Sequence, residues 1–292
     1  MPSGAASAAR ITRRGLRGIQ SRAVDTGLAG DVVVVLGAAG GIGAAIAHAF
    51  AAEGCGLALL DCRADVVELA AVMRDQQGVR AWGQVIDATD YAAVQDAAAA
   101  AGRELGRPQH VVVSIGVGSG KLGLPFWAMD PSDWPEVVRV NLMSCVHAAH
   151  AFVPALLEQR RGSFCFLSSV AGQIGSPTDP PYSAAKAAVL NFTQCAARDL
   201  AEYGIRANAL CPGMVATELN RSVWQAWRAR TPGADHVDHE TWAAEKMRRV
   251  TPLARWQTPA DVAAAVVFLA SRLADNVTGQ TFNVDGGQVM HA

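Results

Sequence analysis

A tyrosine and a lysine stand four residues apart in the segment YSAAK, as Tyr182 and Lys186. On a helix, residues at i and i+4 lie on one face with their side chains adjacent. An ammonium group beside a phenol stabilises the phenolate, which predicts that the pKa of Tyr182 is lowered from ~10 toward neutrality. A tyrosine of this kind is a usable general acid and base. The chemistry that this pair indicates is therefore proton transfer.

A glycine-rich segment, GAAGGIG, follows the apolar run VVVVL and leads into an alanine-rich stretch. Glycines at Gly37, Gly41 and Gly43 permit a tight turn. They also let backbone N–H groups, including that of Ile42, and the positive end of a helix approach a pyrophosphate. Because the segment lies between a predicted strand and a predicted helix, it predicts nucleotide binding.

An acidic residue, Asp61, ends the next apolar run, LALLD, 24 residues after Gly37. This spacing is close to the ~20-residue offset at which an acid takes the ribose hydroxyls of an adenosine. A carboxylate at this place repels a 2′-phosphate, which predicts NAD as the cofactor and makes NADP the less favoured one. The alternative for Asp61 is an exposed acid at a strand end without a ligand. Arg63 argues for NADP, but its side chain need not face the same atoms.

Short apolar runs rich in β-branched residues alternate with longer alanine-rich segments from residue 31 onward. The predicted strands fall at 31–37, 56–61, 80–87, 110–116, 163–169, 205–211 and 279–287. Strands separated by helices predict a parallel, doubly wound α/β sheet that is covered on both faces. Right-handed crossovers bring the loops at the carboxyl ends of the strands to one edge, where such sheets bind ligands.

Further motifs follow the glycine segment in order: DATD (87–90), VNL (140–142), SSVAG (168–172), YSAAK (182–186) and PGMVAT (212–217). With these motifs, the chain resembles a classical short-chain dehydrogenase/reductase over most of its length. The resemblance implies a single Rossmann-type domain of three α/β/α layers at 30–292, with a seven-stranded parallel sheet and a helical substrate lid at about 218–250. Two places depart from the family pattern. Leu36 replaces a threonine, and Ser114-Ile115-Gly116 replaces Asn-Ala-Gly.

The resemblance implies a catalytic tetrad of Asn141, Ser169, Tyr182 and Lys186. Tyr182 is then the proton donor and acceptor, while Lys186 tunes it and holds the nicotinamide ribose. Ser169 polarises the substrate oxygen, and Asn141 completes a proton relay through a bound water. Considered singly, three of the four residues have a structural alternative: a buried tyrosine with a satisfied hydroxyl, a serine that satisfies a strand end and an asparagine that caps a helix.

The resemblance also implies the cofactor contacts. Asp87 would contact the adenine, and Thr217 would contact the carboxamide together with the backbone around it. The full set comprises Gly37, Gly41, Ile42, Gly43, Asp61, Asp87, Ala88, Gly116, Tyr182, Lys186, Gly213, Val215 and Thr217. A homotetramer built through the helices that carry His147 and Tyr182 is implied as well.

Composition limits the classes of function. The chain has 292 residues, of which 51% are apolar and 17% charged, with a formal net charge of −1. Without a basic stripe in the body of the chain we expect no nucleic-acid partner, and without an apolar run of ~18 residues no membrane span. Six cysteines without a CxxC motif predict reduced thiols and a cytoplasmic protein.

The N-terminal extension, residues 1–29, is rich in Ala, Ser and Arg, and its first 24 residues contain no acid. We expect it to be disordered or a targeting segment, which makes the mitochondrial matrix a minor alternative location. His236 and His239 suggest a metal site, but no third ligand is evident, and we expect no metal.

The sequence therefore predicts an NAD-dependent oxidoreductase that interconverts a secondary alcohol and a ketone, both small molecules. The C-terminal segment VTGQTFNVDGGQVM is similar to tails of sugar-alcohol dehydrogenases, which slightly favours a polyol. One alternative is a 3-oxoacyl thioester (acyl-carrier) reductase. Another is a non-catalytic NAD(H)-binding module, which would not need an activated phenol. The tryptophans at 224, 227 and 242 either line a substrate pocket or hold the lid helices together.

Overall fold

A computed structural model of the chain describes residues 25–176, 178–231 and 233–290. Its strands are β1 (Val32–Leu36), β2 (Gly56–Asp61), β3 (Ala81–Val85), β4 (His110–Val113), β5 (Gly162–Leu167), β6 (Ile205–Pro212) and β7 (Thr281–Val284). They pair in parallel in the order β3-β2-β1-β4-β5-β6-β7. The seven predicted strands and the doubly wound parallel sheet are thereby confirmed.

Helices cover both faces of this sheet. They are α1 (Gly41–Ala52), α2 (Asp65–Gln77), α3 (Tyr91–Leu105), α4 (Trp134–Val138), α5 (Ser144–Gln159), α6 (Pro180–Leu200), α7 (Glu218–Arg230), α8 (His239–Val250) and α9 (Pro259–Ala270). The apolar residues of α1, α2 and α9 form one core, and those of α3, α5 and α6 form a second core on the opposite face.

Strand β1 shows why both cores exist. Val33 and Val35 pack into the first core, while Val32, Val34 and Leu36 pack into the second. Successive side chains of a strand point to opposite faces, so a strand with two covered faces must be apolar at every position. All five residues of β1 are buried. Leu36, one of the departures from the family pattern, is thus a core residue.

The order of the strands reverses between β1 and β4, which are neighbours in the sheet although two strands separate them along the chain. The chain leaves β1 toward β2 on one side, and it leaves β4 toward β5 on the other. The loops at the carboxyl ends of β1 and β4 therefore diverge and leave a crevice, where ligands of such sheets bind.

One helical segment of the described residues, Pro131–Gln159, is long and apolar enough to cross a membrane by length and composition alone. In the structure, its second half is α5, which buries Cys145, Phe152 and Leu156 in the second core. Its apolar face is therefore covered by the sheet and by α3.

The described chain begins before the predicted start of the domain. Leu28 is buried in the first core, and the backbone N–H of Arg272 donates a hydrogen bond to the carbonyl of Thr26. Residues 25–29 of the predicted extension thus pack against α9 and the turn that follows it. Residues 1–24 lie outside the described residues.

Candidate active site

Helix α6 carries Tyr182 and Lys186, and Asp179 sets the position at which this helix begins. The buried Asp179 carboxylate accepts hydrogen bonds from the backbone N–H of Tyr182 at 3.4 Å and of Ser119 at 2.8 Å. Asp179 thereby ties the first turn of α6 to the loop that follows β4. Sequence analysis did not identify this positioning residue, although Asp followed by proline is a recognised signal for the start of a helix.

Lys186 is buried, with 2% of its surface exposed. Its Nζ donates hydrogen bonds to the carbonyls of Ile115 at 2.9 Å and Leu167 at 2.8 Å. These carbonyls lie beyond β4 and at the end of β5, so the ammonium joins the carboxyl ends of two neighbouring strands. Burial lowers the pKa of Lys186 to about 8. Ile115 departs from the family pattern, but it contributes a backbone carbonyl, which any residue type supplies.

The two serines of the SSVAG motif lie in different surroundings. The Ser168 hydroxyl is buried and donates to the carbonyl of Lys186 at 2.8 Å, which holds β5 to α6. Ser169 is partly exposed, and its Oγ accepts a hydrogen bond from the N–H of Ala171 at 3.1 Å. The Ser169 side chain also lies within reach of the Tyr182 phenol and lowers its pKa. Of the two serines, Ser169 is the one brought to the tyrosine.

A glycine allows this approach. After Ser169 the chain makes a single 3₁₀ turn, Val170–Gly172, which packs on α6. A Cβ on Gly172 would lie 2.7 Å from the carbonyl carbon of Lys186. The turn can therefore sit against the helix backbone only without a side chain at Gly172, a second positioning residue that sequence analysis did not single out.

The pKa of Tyr182 differs from the expectation. The Lys186 Nζ lies 5.7 Å from the centre of the Tyr182 ring, so the two residues share a helix face as predicted. Burial nevertheless raises the pKa of Tyr182 to about 12, and the Ser169 side chain offsets only part of that rise. The predicted lowering is wrong for this structure, because the loss of hydration on burial outweighs the other effects on the phenol. The phenol is therefore protonated at neutral pH and suited to donate a proton.

Asn141 lies in a π-helical turn, Arg139–Met143, between α4 and α5. It is fully buried, and its Nδ2 donates to the carbonyls of Val117 and Val137, each at 2.8 Å. Its Oδ1 has no hydrogen-bond donor among the described residues. Single π turns occur often at functional sites. A buried acceptor of this kind needs a donor, such as the water of the predicted relay.

Gly116 shows how closely the polar groups of the tetrad converge. A Cβ on Gly116 would lie 3.3 Å from the Asn141 Oδ1 and also 3.3 Å from the Lys186 Nζ. The two side chains thus approach the same point of the loop after β4. Together with the Ser169–Tyr182 contact, this places all four predicted catalytic residues around the carboxyl ends of β4 and β5.

The glycine segment forms a turn that leaves no space for a side chain at Gly37 or Gly43. Gly37 has φ +79°, and a Cβ on it would lie 2.4 Å from the carbonyl oxygen of Ser114. A Cβ on Gly43 would lie 1.9 Å from the carbonyl oxygen of Gly37. A Cβ on Gly41 would instead lie 3.6 Å from Cγ2 of Thr217, which is ordinary contact. Thr217 therefore lies over the start of α1, next to the glycine turn.

The segment that carries Thr217 is held by its neighbours. Val215 pairs with Gln257 as an isolated parallel bridge. A Cβ on Gly213 would lie 2.8 Å from both the Gln257 Oε1 and the Asp285 Cα, so the chain packs tightly after β6. These residues fix the backbone beside the crevice, as the predicted cofactor contacts require.

Asp61 lies at the end of β2, beside the glycine turn. Its carboxylate is 9% exposed and accepts hydrogen bonds from the N–H groups of Ala39 at 2.9 Å and Arg63 at 3.0 Å. The guanidinium of Arg63 forms an ion pair with Asp65. The negative group thus faces the turn, while the neighbouring positive group is paired elsewhere.

Asp87 and Ala88 follow β3 at the same edge of the sheet. The Asp87 carboxylate accepts hydrogen bonds from the N–H of Thr89 at 2.8 Å and from its hydroxyl at 2.6 Å, and these bonds lower the pKa of Asp87. The carbonyl of Ala88 contacts Nδ1 of His147 at 3.1 Å. Asp87 therefore remains ionised at neutral pH.

These residues fit a nicotinamide dinucleotide. The turn that starts α1 has no space for side chains at Gly37 and Gly43, and the first turn of α1 carries no acidic residue that would repel a pyrophosphate. The Asp61 carboxylate lies beside this turn, at the end of β2. The unpaired Oδ1 of Asn141 and the Lys186 ammonium lie on the other side of the crevice. The arrangement can hold a dinucleotide and transfer a proton beside it.

Helices α7 and α8 occupy the range predicted as the lid, and their tryptophans pack mainly on one another. Trp242 is buried, and its ring centre lies 6.1 Å from that of Trp227. His239 lies within 6 Å of the rings of Trp224, Trp242 and Trp256, measured between ring centres. The described residues contain no group of three side chains placed to hold a metal ion.

Comparisons with known proteins agree with this geometry. A family model described as enoyl-(acyl carrier protein) reductase matches residues 37–289. The chain is 34% identical over 263 residues to 2-(S)-hydroxypropyl-CoM dehydrogenase 3 of Xanthobacter autotrophicus, which covers 89% of this chain and 97% of that relative. It is 25% identical to L-sorbose reductase from Gluconobacter frateurii, solved with NADPH and L-sorbose, with a TM-score of 0.83 over 92% of this chain and 100% of that one. A 3-oxoacyl-[acyl-carrier protein] reductase from Brucella melitensis with bound NAD is 32% identical, with a TM-score of 0.77 over 90% of this chain and 92% of that one.

Proposed function

The chain belongs to the short-chain dehydrogenase/reductase family of oxidoreductases, and on that premise we propose that it interconverts a secondary alcohol and a ketone with NAD(H). The observation that carries the proposal is the meeting of Ser169, Tyr182 and Lys186 near a glycine turn in which Gly37 and Gly43 cannot carry side chains. A module that only binds a dinucleotide needs the glycine turn and Asp61. It does not need a protonated phenol beside a buried ammonium.

In the direction of ketone reduction, Tyr182 donates its phenolic proton to the carbonyl oxygen. Ser169 donates a hydrogen bond to the same oxygen and orients it. The Lys186 ammonium stabilises the phenolate that forms, and the Asn141 Oδ1 accepts a hydrogen bond from the water that returns the proton. The bound nicotinamide supplies the hydride in reduction and accepts it in alcohol oxidation.

The cofactor preference that we propose is NAD, and Asp61→Ala tests it. The carboxylate repels a 2′-phosphate, so its removal should narrow the ratio of kcat/KM for NAD over NADP by at least ~tenfold, which corresponds to about 1.4 kcal/mol. Kinetics with both cofactors at fixed substrate measure the ratio. Arg63→Ala is the matched control, because the Arg63 guanidinium is paired with Asp65. This variant should keep the ratio of kcat/KM for NAD over NADP within ~threefold of the wild-type value. An unchanged ratio in Asp61→Ala would remove Asp61 from cofactor selection.

The pH dependence should follow Lys186, whose pKa is lowered to about 8. Below pH 8 the ammonium is charged and stabilises the forming phenolate, and above pH 8 that charge is lost. We expect kcat/KM for ketone reduction to fall between pH 7 and pH 9. In Lys186→Arg the charge persists at pH 9, so any remaining activity should not show this fall. A fall that is the same in both proteins would come from another group.

A panel of substrates tests the reaction class. Reduced-cofactor absorbance is followed with NAD⁺ or NADP⁺ and polyols, hydroxyacyl thioesters or hydrophobic secondary alcohols. Turnover of hydroxyacyl thioesters with NADP⁺ would favour the second candidate function, 3-oxoacyl thioester reduction, which the similarity to the Brucella reductase supports. The homotetramer and the cytoplasmic location stay predictions from the family resemblance and the cysteines.

A further inference from the structure

A cavity of about 530 Å³ lies between α7, α8 and the loop that follows β4. Leu122, Gly123 and Thr178 form one wall, and the described residues that line it include no member of the tetrad. Thr178 nevertheless lies four residues before Tyr182, and four residues of chain span at most ~14 Å. The cavity is therefore within reach of the far end of a substrate whose carbonyl lies at Tyr182.

The cavity is lined by three cations and one carboxylate. Arg230 comes from α7, while Lys246, Arg249 and Glu245 come from α8. Trp242, Glu245, Lys246 and Arg249 are spaced three and four residues apart, so they share the face of α8 that lines the cavity. Two of the three cations therefore project from the same side of one helix.

These cations have no ionic partner among the residues that the structure describes. Among the side chains that the structure describes, no carboxylate lies within ion-pair distance of Arg230, Lys246 or Arg249. Two other positive side chains near the carboxyl edge of the sheet have carboxylate partners. Arg63 is paired with Asp65, and Lys121 is paired with Asp133. The cavity thus gathers unpaired positive charge at one place.

The side chains of Arg230 and Lys246 both border the space inside the cavity. Arg230 reaches across it, because a Cβ on Gly123 would lie 3.1 Å from the guanidinium. The Lys246 ammonium lies 4.6 Å from the centre of the buried Trp242 ring, and burial lowers the pKa of Lys246. Both arginines that line the cavity are exposed and Lys246 is partly buried, and the mutual repulsion of the three cations is relieved when an anion binds between them. Trp227 and Trp242 line the cavity beside the cations, so an apolar chain that carries an anionic group at its end could pack against their rings.

We propose that this cavity binds an anionic group at the far end of the substrate, a carboxylate, sulfonate or phosphate joined by a short apolar chain to the reacting carbonyl. The proposal rests on the proposed function and names its substrate class. Arg230 and Lys246 are then specificity-determining residues, and neutral polyols are poor substrates.

A matched pair of ketones tests this inference. 7-Oxooctanoate and its methyl ester carry the same methyl ketone, but only the acid has an anionic end. We expect the wild-type protein to reduce the acid with a kcat/KM at least ~tenfold above that for the ester. The double variant Arg230→Gln, Lys246→Met should lose ~10- to 100-fold in kcat/KM for the acid, mainly because KM rises. This fold-change is the range expected for loss of a hydrogen bond to a charged group. Its kcat/KM for the ester should stay within ~threefold.

Arg248→Gln is the control for a general effect of net charge. Arg248 is exposed on α8 next to Arg249 and does not line the cavity. It should leave the acid-to-ester ratio within ~threefold of the wild-type value. Equal reduction of acid and ester by the wild-type protein would overturn the inference, and so would an equal loss in Arg248→Gln.

Calorimetry separates a failure of this inference from a failure of the proposed function. 7-Oxooctanoate, 1-octanesulfonate and octyl phosphate are titrated into the wild-type protein and the double variant in the presence of NAD⁺, which cannot reduce the ketone, with the methyl ester as the neutral reference. Anions that bind to the wild-type protein at least ~tenfold more tightly than to the double variant would support the cavity even without turnover, and the tightest one identifies the head group. Binding of acid and ester with equal affinity would overturn it, whether or not either ketone is reduced.

Discussion

Tyr182→Phe should lower turnover by at least ~10²-fold, the lower end of the range for general acid and base catalysis. The variant should still bind NADH. The substitution keeps the ring on α6 and the 5.7 Å approach of the Lys186 Nζ to its centre. It removes only the hydroxyl that interacts with Ser169 and that remains protonated because burial raises the pKa of Tyr182 to about 12. Steady-state kinetics measure kcat, and NADH fluorescence measures cofactor affinity.

Tyr203→Phe is the matched control for this experiment. It deletes one phenolic hydroxyl from another of the three tyrosines, at a ring that lies 5.4 Å from the guanidinium carbon of Arg160. Its kcat should stay within ~threefold of the wild-type value. Turnover by Tyr182→Phe within ~tenfold of the wild-type rate would remove Tyr182 from the role of proton donor.

The sequence predicts the centre of the sheet well because β1 and β2 are buried along their whole length. In β1 every residue enters one of the two cores, so the run VVVVL has no polar position that would suggest a helix or an edge. The glycine turn is predictable for a similar reason. A Cβ at Gly37 or Gly43 would overlap the backbone, so the residue type there is dictated by local geometry.

The electrostatics of the site could not be predicted from the same residues. The Lys186 ammonium is satisfied by the carbonyls of Ile115 and Leu167, and a carbonyl has no signature in the sequence because every residue carries one. The spacing of Tyr182 and Lys186 therefore gives their shared face but not the direction of the hydrogen bonds. The pKa of Tyr182 depends on burial by distant segments, which explains why its predicted direction was wrong.

The π-helical turn that holds Asn141 is a similar case. The motif VNL marks the asparagine, but local sequence does not show that α4 and α5 join through an irregular turn. The two acceptors of its Nδ2 come from Val137 on the same helix and from Val117 in the loop after β4. Only the tertiary packing of that loop fixes the amide and leaves Oδ1 free as an acceptor. The VNL motif therefore identifies Asn141, but only the structure shows that its Oδ1 is available as an acceptor.

Gly43→Ala should produce the largest loss of cofactor binding, with NADH affinity reduced by at least ~100-fold. The added Cβ would lie 1.9 Å from the carbonyl oxygen of Gly37 and 2.9 Å from the Cα of Ala38. These are backbone atoms that cannot rotate away, so the turn must open and its N–H groups leave the pyrophosphate site. Overpacking of this kind also costs about 1–3 kcal/mol of stability. Fluorescence titration with NADH and thermal unfolding measure the two effects.

Two further alanine variants separate cofactor binding from folding. A Cβ on Gly41 meets only Cγ2 of Thr217 at 3.6 Å, so Gly41→Ala should fold with an unchanged Tm. It should nevertheless weaken NADH binding, because the methyl group enters the space at the start of α1 where the pyrophosphate would lie. Gly102→Ala, in the exposed part of α3 with open space around it, should leave NADH affinity unchanged and stabilise the protein by ~0.5–1 kcal/mol. If Gly41→Ala and Gly102→Ala bind NADH equally well, the turn at residues 37–43 is a packing feature and the dinucleotide binds elsewhere. If affinity falls only at Gly41 and Gly43, the carboxyl end of β1 holds the cofactor.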